Sequence, residues 1–263
     1  MSPRWKRYWR LRAVGLRRPL MLAYLDLSDT LKPPVFDLLV FTLTFMSAIV
    51  CYIQLYSSGS SLALNVLSPV LVATALYLAL RSAGGLAFLI STRSLEVYMA
   101  YPLSRRGVAG ALLLSRVIGP GGLLISLPAV AAALIYLPVV RADLEGFLAV
   151  YAGFLVQALF YGLTFALIAL ASKNSGSAGI LSLIYYFTYN LAGFILATIS
   201  STPSSLTFKA SQAMSFYLAV YQWVTMPPGS PLRPGLGELL AVPLATLAIG
   251  LLTVEYLARW FEP

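Results

Sequence analysis

No histidine, one cysteine (Cys51), four lysines and nine acids set the range of chemistry open to this 263-residue chain. Without histidine it lacks the commonest ligand for haem, copper and zinc and the usual proton shuttle. One cysteine excludes an intramolecular disulfide framework. A phosphate-cradling loop needs Gly-x-x-x-x-Gly-Lys followed by Ser or Thr, and none of Lys6, Lys32, Lys173 and Lys209 follows a glycine, so the chain cannot burn ATP alone. Among the acids, Glu255 and Arg259 stand four apart and predict an intrahelical ion pair. Asp37 falls in an apolar run, where an acid is a functional candidate by default; its structural alternative is a pair with Arg81 or with a lipid headgroup.

The densest group of polar and aromatic residues runs from Arg93 to Gly107 and contains Glu96, Tyr98, Tyr101, Pro102, Ser104, Arg105 and Arg106. Glu96 is its only acid. Ser104 is set to cap a helix that continues into the next apolar run, which places Arg105 and Arg106 in a first turn where the macrodipole disfavours cations. A partner outside that helix must compensate, either lipid phosphate or a docked protein. Pro102 fixes its own φ and biases Tyr101 away from helix, which makes a corner.

The surroundings of these groups are apolar. Hydrophobic residues make up 59% of the chain and charged ones 10%, with a mean hydropathy of +0.84, against about 45–50% and about 25% in a soluble domain. The composition predicts an all-α integral membrane protein. A helix needs about 20 mainly apolar residues to cross roughly 30 Å of hydrocarbon, and six stretches qualify: about 34–56, 62–90, 119–140, 146–171, 178–200 and 238–260. The second is longer than a bilayer requires. The third carries Pro120, Pro128 and Pro138, tolerated in a packed membrane bundle, with a kink expected near Pro128. In the outer loop 201–237, Lys209, Gln212 and Gln222 favour a helix lying at the outer face over a seventh span.

Fifteen lysines and arginines fall in the segments that would lie inside, namely the stretch before Pro33, Arg81 to Arg116, Lys173 and Arg259, whereas Arg141, Lys209 and Arg233 fall outside. That excess predicts both termini in the cytoplasm. Residues 1–25 interleave seven basic residues with Trp5, Tyr8, Trp9, Leu16 and Leu20, so segment 1–33 reads as a basic interfacial helix and linker on anionic lipid, or as a basic tail that only sets topology. A secretory signal is rejected, because the run Leu20 to Leu25 is short, is followed by Asp26 and Asp29 and lacks a small-residue cleavage site. The net charge of +9 suits anionic lipid or an acidic partner better than nucleic acid.

Leu95-Glu96 followed by Pro102-Leu103-Ser104-Arg105-Arg106 resembles the type 2 permease family of ATP-binding-cassette exporters, where a Leu-Glu pair precedes Pro, an aliphatic residue, Ser and a basic residue. The six spans, the basic N-terminal helix and the overlong second span are similar to that family as well. The resemblance implies the membrane subunit of a prokaryotic cell-membrane exporter, not itself an enzyme, working with a second permease chain and a separate ATPase. That partner would hold ATP and magnesium, with no cofactor in this chain. It also implies that residues around 91–106, within the inner loop 91–116, form a coupling helix seated in the ATPase, with Glu96, Ser104, Arg105 and Arg106 making polar contacts and Tyr98 and Tyr101 filling pockets around Pro102. Loop Ser172–Ser177 is a weaker second contact, or a plain turn in which Asn174 caps the fifth span.

Asp37, Asn65, Gln157 and Asn190 are the candidate polar groups of a translocation path, which would suit an amphiphilic or lipid-linked cargo. Hydrogen bonds that hold helices together are the other reading of the same residues. The competing functions are a secondary transporter or channel independent of ATP, an integral-membrane enzyme, and an assembly scaffold. No span carries a line of acids that could relay ions.

Overall fold

The computed structural model describes residues 17–31, 35–53, 58–92, 94, 98, 103–200, 202, 203 and 205–259. Every regular element among them is helical: α1 (Arg17–Thr30), α2 (Val35–Ile53), α3 (Gly59–Ser91), α4 (Arg105–Ile135), α5 (Leu137–Ala142), α6 (Leu144–Ser172), α7 (Ser175–Thr198), α8 (Leu206–Met214), α9 (Phe216–Thr225) and α10 (Leu236–Arg259). Five of these, α3, α4, α6, α7 and α10, are long and apolar enough to cross a membrane, and α2 carries a shorter apolar run, Phe36–Val50. The chain is an all-α, membrane-embedded protein.

Central helix α6 packs against α3, α4, α7, α9 and α10. Phe154, Tyr161, Phe165 and Leu170 lie fully buried along it. The peripheral helices turn large apolar side chains outward, including Phe41 and Phe45 on α2, Phe187 and Phe194 on α7, and Leu247 and Leu251 on α10. In lipid such an exterior is the favourable arrangement rather than a liability. Contacts between chain-distant helix ends define the directions. The start of α2 meets α3 just past its midpoint through Phe36 and Tyr77, the start of α4 meets the end of α10 through Arg106 and Glu255, and α3 and α6 begin side by side at Ser60 and Asp143. One end of the bundle therefore collects α1, Arg81, Arg105, Arg106, Arg116, Lys173 and Arg259; we call it the basic end.

Several boundaries differ from the sequence reading. Helix α4 begins at Arg105, as the Ser104 cap predicts, and Ser104 accepts from the Gly107 N–H at 3.1 Å; the third span is therefore part of a helix that starts within the inner loop 91–116 rather than near residue 119. The helix stays continuous through Pro120 and Pro128 and breaks at Tyr136 (φ −116°, ψ 42°), because Pro138 fits only the first turn of a new helix. Both α3 and α4 contain a π-helical segment, Leu78–Ala83 and Leu114–Ile118, and the two pack side by side near the basic end. Segment 201–237 holds two short helices separated at Ser215, neither long enough to span. Its amides are not a lipid-facing polar stripe: Gln212 is buried and donates to Gln222 Oε1 at 2.8 Å and to the Leu232 carbonyl at 2.9 Å.

Helix α1 lies beside α4 over its first turns, with Pro19 near Gly107 and Leu27 near Gly119. Leu22, Ala23 and Asp26 face inward while Leu20 and Tyr24 are exposed. The described part of the N-terminal segment is thus seated on the bundle, and the tail 1–16 lies outside the described residues.

Candidate functional site at the basic end

Asp26 is the one buried acid at the basic end among the described residues. The amphipathic turn Leu22-Ala23 packs on α4 and carries the carboxylate with it, leaving Asp26 only 5% exposed. Three donors converge there from distant parts of the chain. Arg116 grips the carboxylate with two hydrogen bonds, Nε to Oδ2 at 3.0 Å and a terminal guanidinium nitrogen to Oδ1 at 2.7 Å. Ser115 Oγ donates to Oδ2 at 2.5 Å, and the Tyr98 hydroxyl donates to Oδ1 at 2.8 Å. A buried charge is stable only when paired and hydrogen-bonded, and both conditions are met here. Removing one partner of such a pair costs about 3–5 kcal/mol.

The Tyr98 hydroxyl is pushed up to about 12, first by burial and then by the charge and hydrogen bond of Asp26. It therefore remains a donor at neutral pH. Helix α3 contributes a missing side chain: a Cβ at Gly85 would sit 3.0 Å from an Arg116 guanidinium nitrogen, so the glycine leaves room for the cation. The inter-helix loop at Tyr98, the N-terminal helix at Asp26, α4 at Ser115 and Arg116, and α3 at Gly85 meet in one place.

The residues picked from sequence are distributed unevenly around this cluster. Glu96, Tyr101 and Pro102 lie outside the described residues. Tyr98 is half-buried and its hydroxyl reaches inward to Asp26. Ser104 caps α4, and Arg105 beside it is exposed. Arg106 has an intramolecular partner, Glu255 on α10, to which it donates two hydrogen bonds at 3.1 and 3.2 Å. That contact compensates Arg106 in the first turn of α4. The expected Glu255–Arg259 pair exists but is looser, at 4.0 Å. Asn174 caps α7 by accepting from the Gly176 and Ser177 N–H groups.

The four candidate path residues fall in different surroundings. Asp37 is exposed in the first turn of α2, where the helix dipole favours an acid, and among the described residues no ion pair joins it to Arg81. Asn65 is exposed on α3. Gln157 and Asn190 do come together, around a buried aromatic group. Tyr161 donates to Asn190 Oδ1 at 3.1 Å and crosses the Tyr186 and Tyr189 rings edge-on. Gln157 Oε1 accepts from the Phe216 N–H at 2.9 Å and so satisfies the first turn of α9, while its Nε2 is buried with no hydrogen-bond partner among the described residues. These amides hold helices together, the structural alternative weighed for them from sequence.

The chain matches no protein-family model and no curated protein.

Sequence reasoning missed Asp26, Ser115, Arg116 and the far-end carboxylate Asp143. Asp26 served only as an argument against a signal peptide, and Arg116 only as one more inside charge. An acid ending the apolar run Leu20–Leu25 and a cation inside an apolar helix were the available signals.

Proposed function

We propose that this chain is the membrane-spanning permease subunit of an ATP-driven exporter in a prokaryotic cell membrane. Six helices, α2, α3, α4, α6, α7 and α10, cross the bilayer, with both termini and the basic end in the cytoplasm. A separate ATPase subunit binding ATP and magnesium docks on the loop between α3 and α4, and a second permease chain completes the passage for an amphiphilic cargo.

The observation that carries this reading is the length of two helices. At 33 and 31 residues, α3 and α4 extend about 50 and 46 Å, well beyond roughly 30 Å of hydrocarbon. The excess emerges at the basic end and carries loop 92–104 out of the lipid, and the buried Asp26 cluster fastens that loop to its supports. A buried anchor at Tyr98, joined to two overlong helices, suits a protein that receives mechanical work from a cytoplasmic partner. The Leu-Glu to Pro-Leu-Ser-Arg-Arg resemblance supplies the nature of that partner, and the basic residues at this end supply its side of the membrane.

The test is co-expression with an ATPase encoded beside this chain, followed by capture of the complex. Arg105→Glu is the variant of choice, because reversing Arg106 would also break its contact with Glu255. Loss of the complex in that variant supports docking at this loop, and an undisturbed complex counts against it. Cysteine labelling of Ser104→Cys in intact cells gives an independent check, since access only from the exterior would end the proposal.

A further inference from the structure

We infer that Asp26 is a positioning residue that ties the N-terminal helix, Tyr98 of the segment between α3 and α4, and the two overlong spans together. The inference rests on the reading of loop 92–104 as a docking element. It concerns how a displacement of that loop reaches the membrane.

Three observations support it. The Tyr98–Asp26 hydrogen bond, at 2.8 Å, joins the loop to a carboxylate that is itself shielded from solvent, so water does not compete for the contact. Next, that carboxylate is held by two consecutive residues of α4, Ser115 and Arg116, within the π-helical segment Leu114–Ile118. Such segments recur at functional sites. The π-helical segment of α3, Leu78–Ala83, packs against it, and Gly85 just beyond admits the Arg116 guanidinium. Finally, the other link at this end, Arg106 to Glu255, has side chains 72% and 42% exposed, so water and salt weaken it as a mechanical connection. A push on the loop therefore passes through Asp26 into the two adjoining π-helical segments.

Spin-label distance measurements on the whole permease chain, in a Cys51→Ser background, test the link. Labels at Ser94 and Ala171 report the loop against central helix α6, and labels at Arg141 and Thr225 at the opposite end serve as control. Asp26→Asn is expected to broaden the 94–171 distribution roughly twofold while sparing the control pair, and Asp26→Glu to broaden it less, as loosening of one local unit predicts. Tyr98→Phe removes only the loop's hydroxyl and decides the matter if Asp26→Asn does not fold. An unchanged 94–171 distribution in a folded variant of either kind overturns the inference.

A second arm separates transmission from mere support. In complex with the ATPase, ATP should shift labels at both Ser94 and Leu127 in the wild type. In Asp26→Asn the Ser94 shift should persist while the Leu127 shift is lost; persistence of both overturns the inference. Absence of any ATP response in the wild type overturns the proposed function instead, and leaves the distance arm to decide the role of Asp26.

Discussion

Replacing Gly59 by alanine tests the packing of the bundle's far end. A Cβ at this position would lie 2.5 Å from the Asp143 carbonyl oxygen, whereas ordinary contacts begin at 3.4 Å, so the start of α3 must retreat by about 0.9 Å. The Ser60 N–H donates to Asp143 Oδ2 at 2.8 Å, and the same retreat would stretch this bond to about 3.7 Å, beyond hydrogen-bonding range. Overpacking costs about 1–3 kcal/mol and loss of a hydrogen bond to a charged acceptor about 1.5–3 kcal/mol, offset by up to about 1 kcal/mol from alanine's helix propensity. The expected net loss is roughly 2–4 kcal/mol. Detergent-to-SDS titration followed by tryptophan fluorescence reads it as a lower midpoint. In an Asp143→Ala background the hydrogen-bond component is already gone, so the penalty should fall to the overpacking part. A Gly59→Ala protein within about 0.5 kcal/mol of wild type would refute the close approach on which the estimate depends.

Other changes separate strong contacts from weak ones. A double-mutant cycle on Arg106→Ala and Glu255→Gln should give a coupling of no more than about 1 kcal/mol that fades with added salt, because both side chains are largely solvated; a larger, salt-insensitive value contradicts this. Asn174→Ala should lower stability by about 1 kcal/mol through the two lost cap bonds, and no change in the SDS midpoint would show the cap to be idle. Because the folded-state pKa of the Tyr98 hydroxyl is raised, its contribution is fully present below its unfolded value of 10.0 and disappears as pH climbs toward about 12. The stability difference between wild type and Tyr98→Phe should accordingly be flat up to that lower value and shrink above it; a difference that changes between neutral pH and 10 would contradict the sign.

The helices were legible because each is announced by a local signal. Apolar runs of spanning length located α3, α6, α7 and α10 to within a few residues, and Ser104 and Asn174 were recognisable as caps because a cap needs only its own following turn. The Ser104 cap marks the start of α4, but the apolar run that marks its span begins only near 119, because Arg105, Arg106, Ser115 and Arg116 interrupt it, although each finds a partner or solvent while remaining helical. Polarity was also visible at Gln212 and Gln222, but mutual satisfaction across ten residues was not, so a pair of internal amides was read as a membrane-surface face. Asp26 illustrates the same limit at greater range. Its partners are 72, 89 and 90 residues away, and no periodicity in the chain records such a meeting.

At the far end, the single carboxylate of Asp143 closes the first turns of two helices, accepting from Gly146 on α6 and from Ser60 on α3. Two long rods riveted at one tip can separate only by opening like scissors, so any relative tilt between them is smallest there and greatest some 40 Å away, by the rise of a helix of this length. A disturbance of a few tenths of an ångström at that fulcrum would become a displacement of ångströms where the arginines gather.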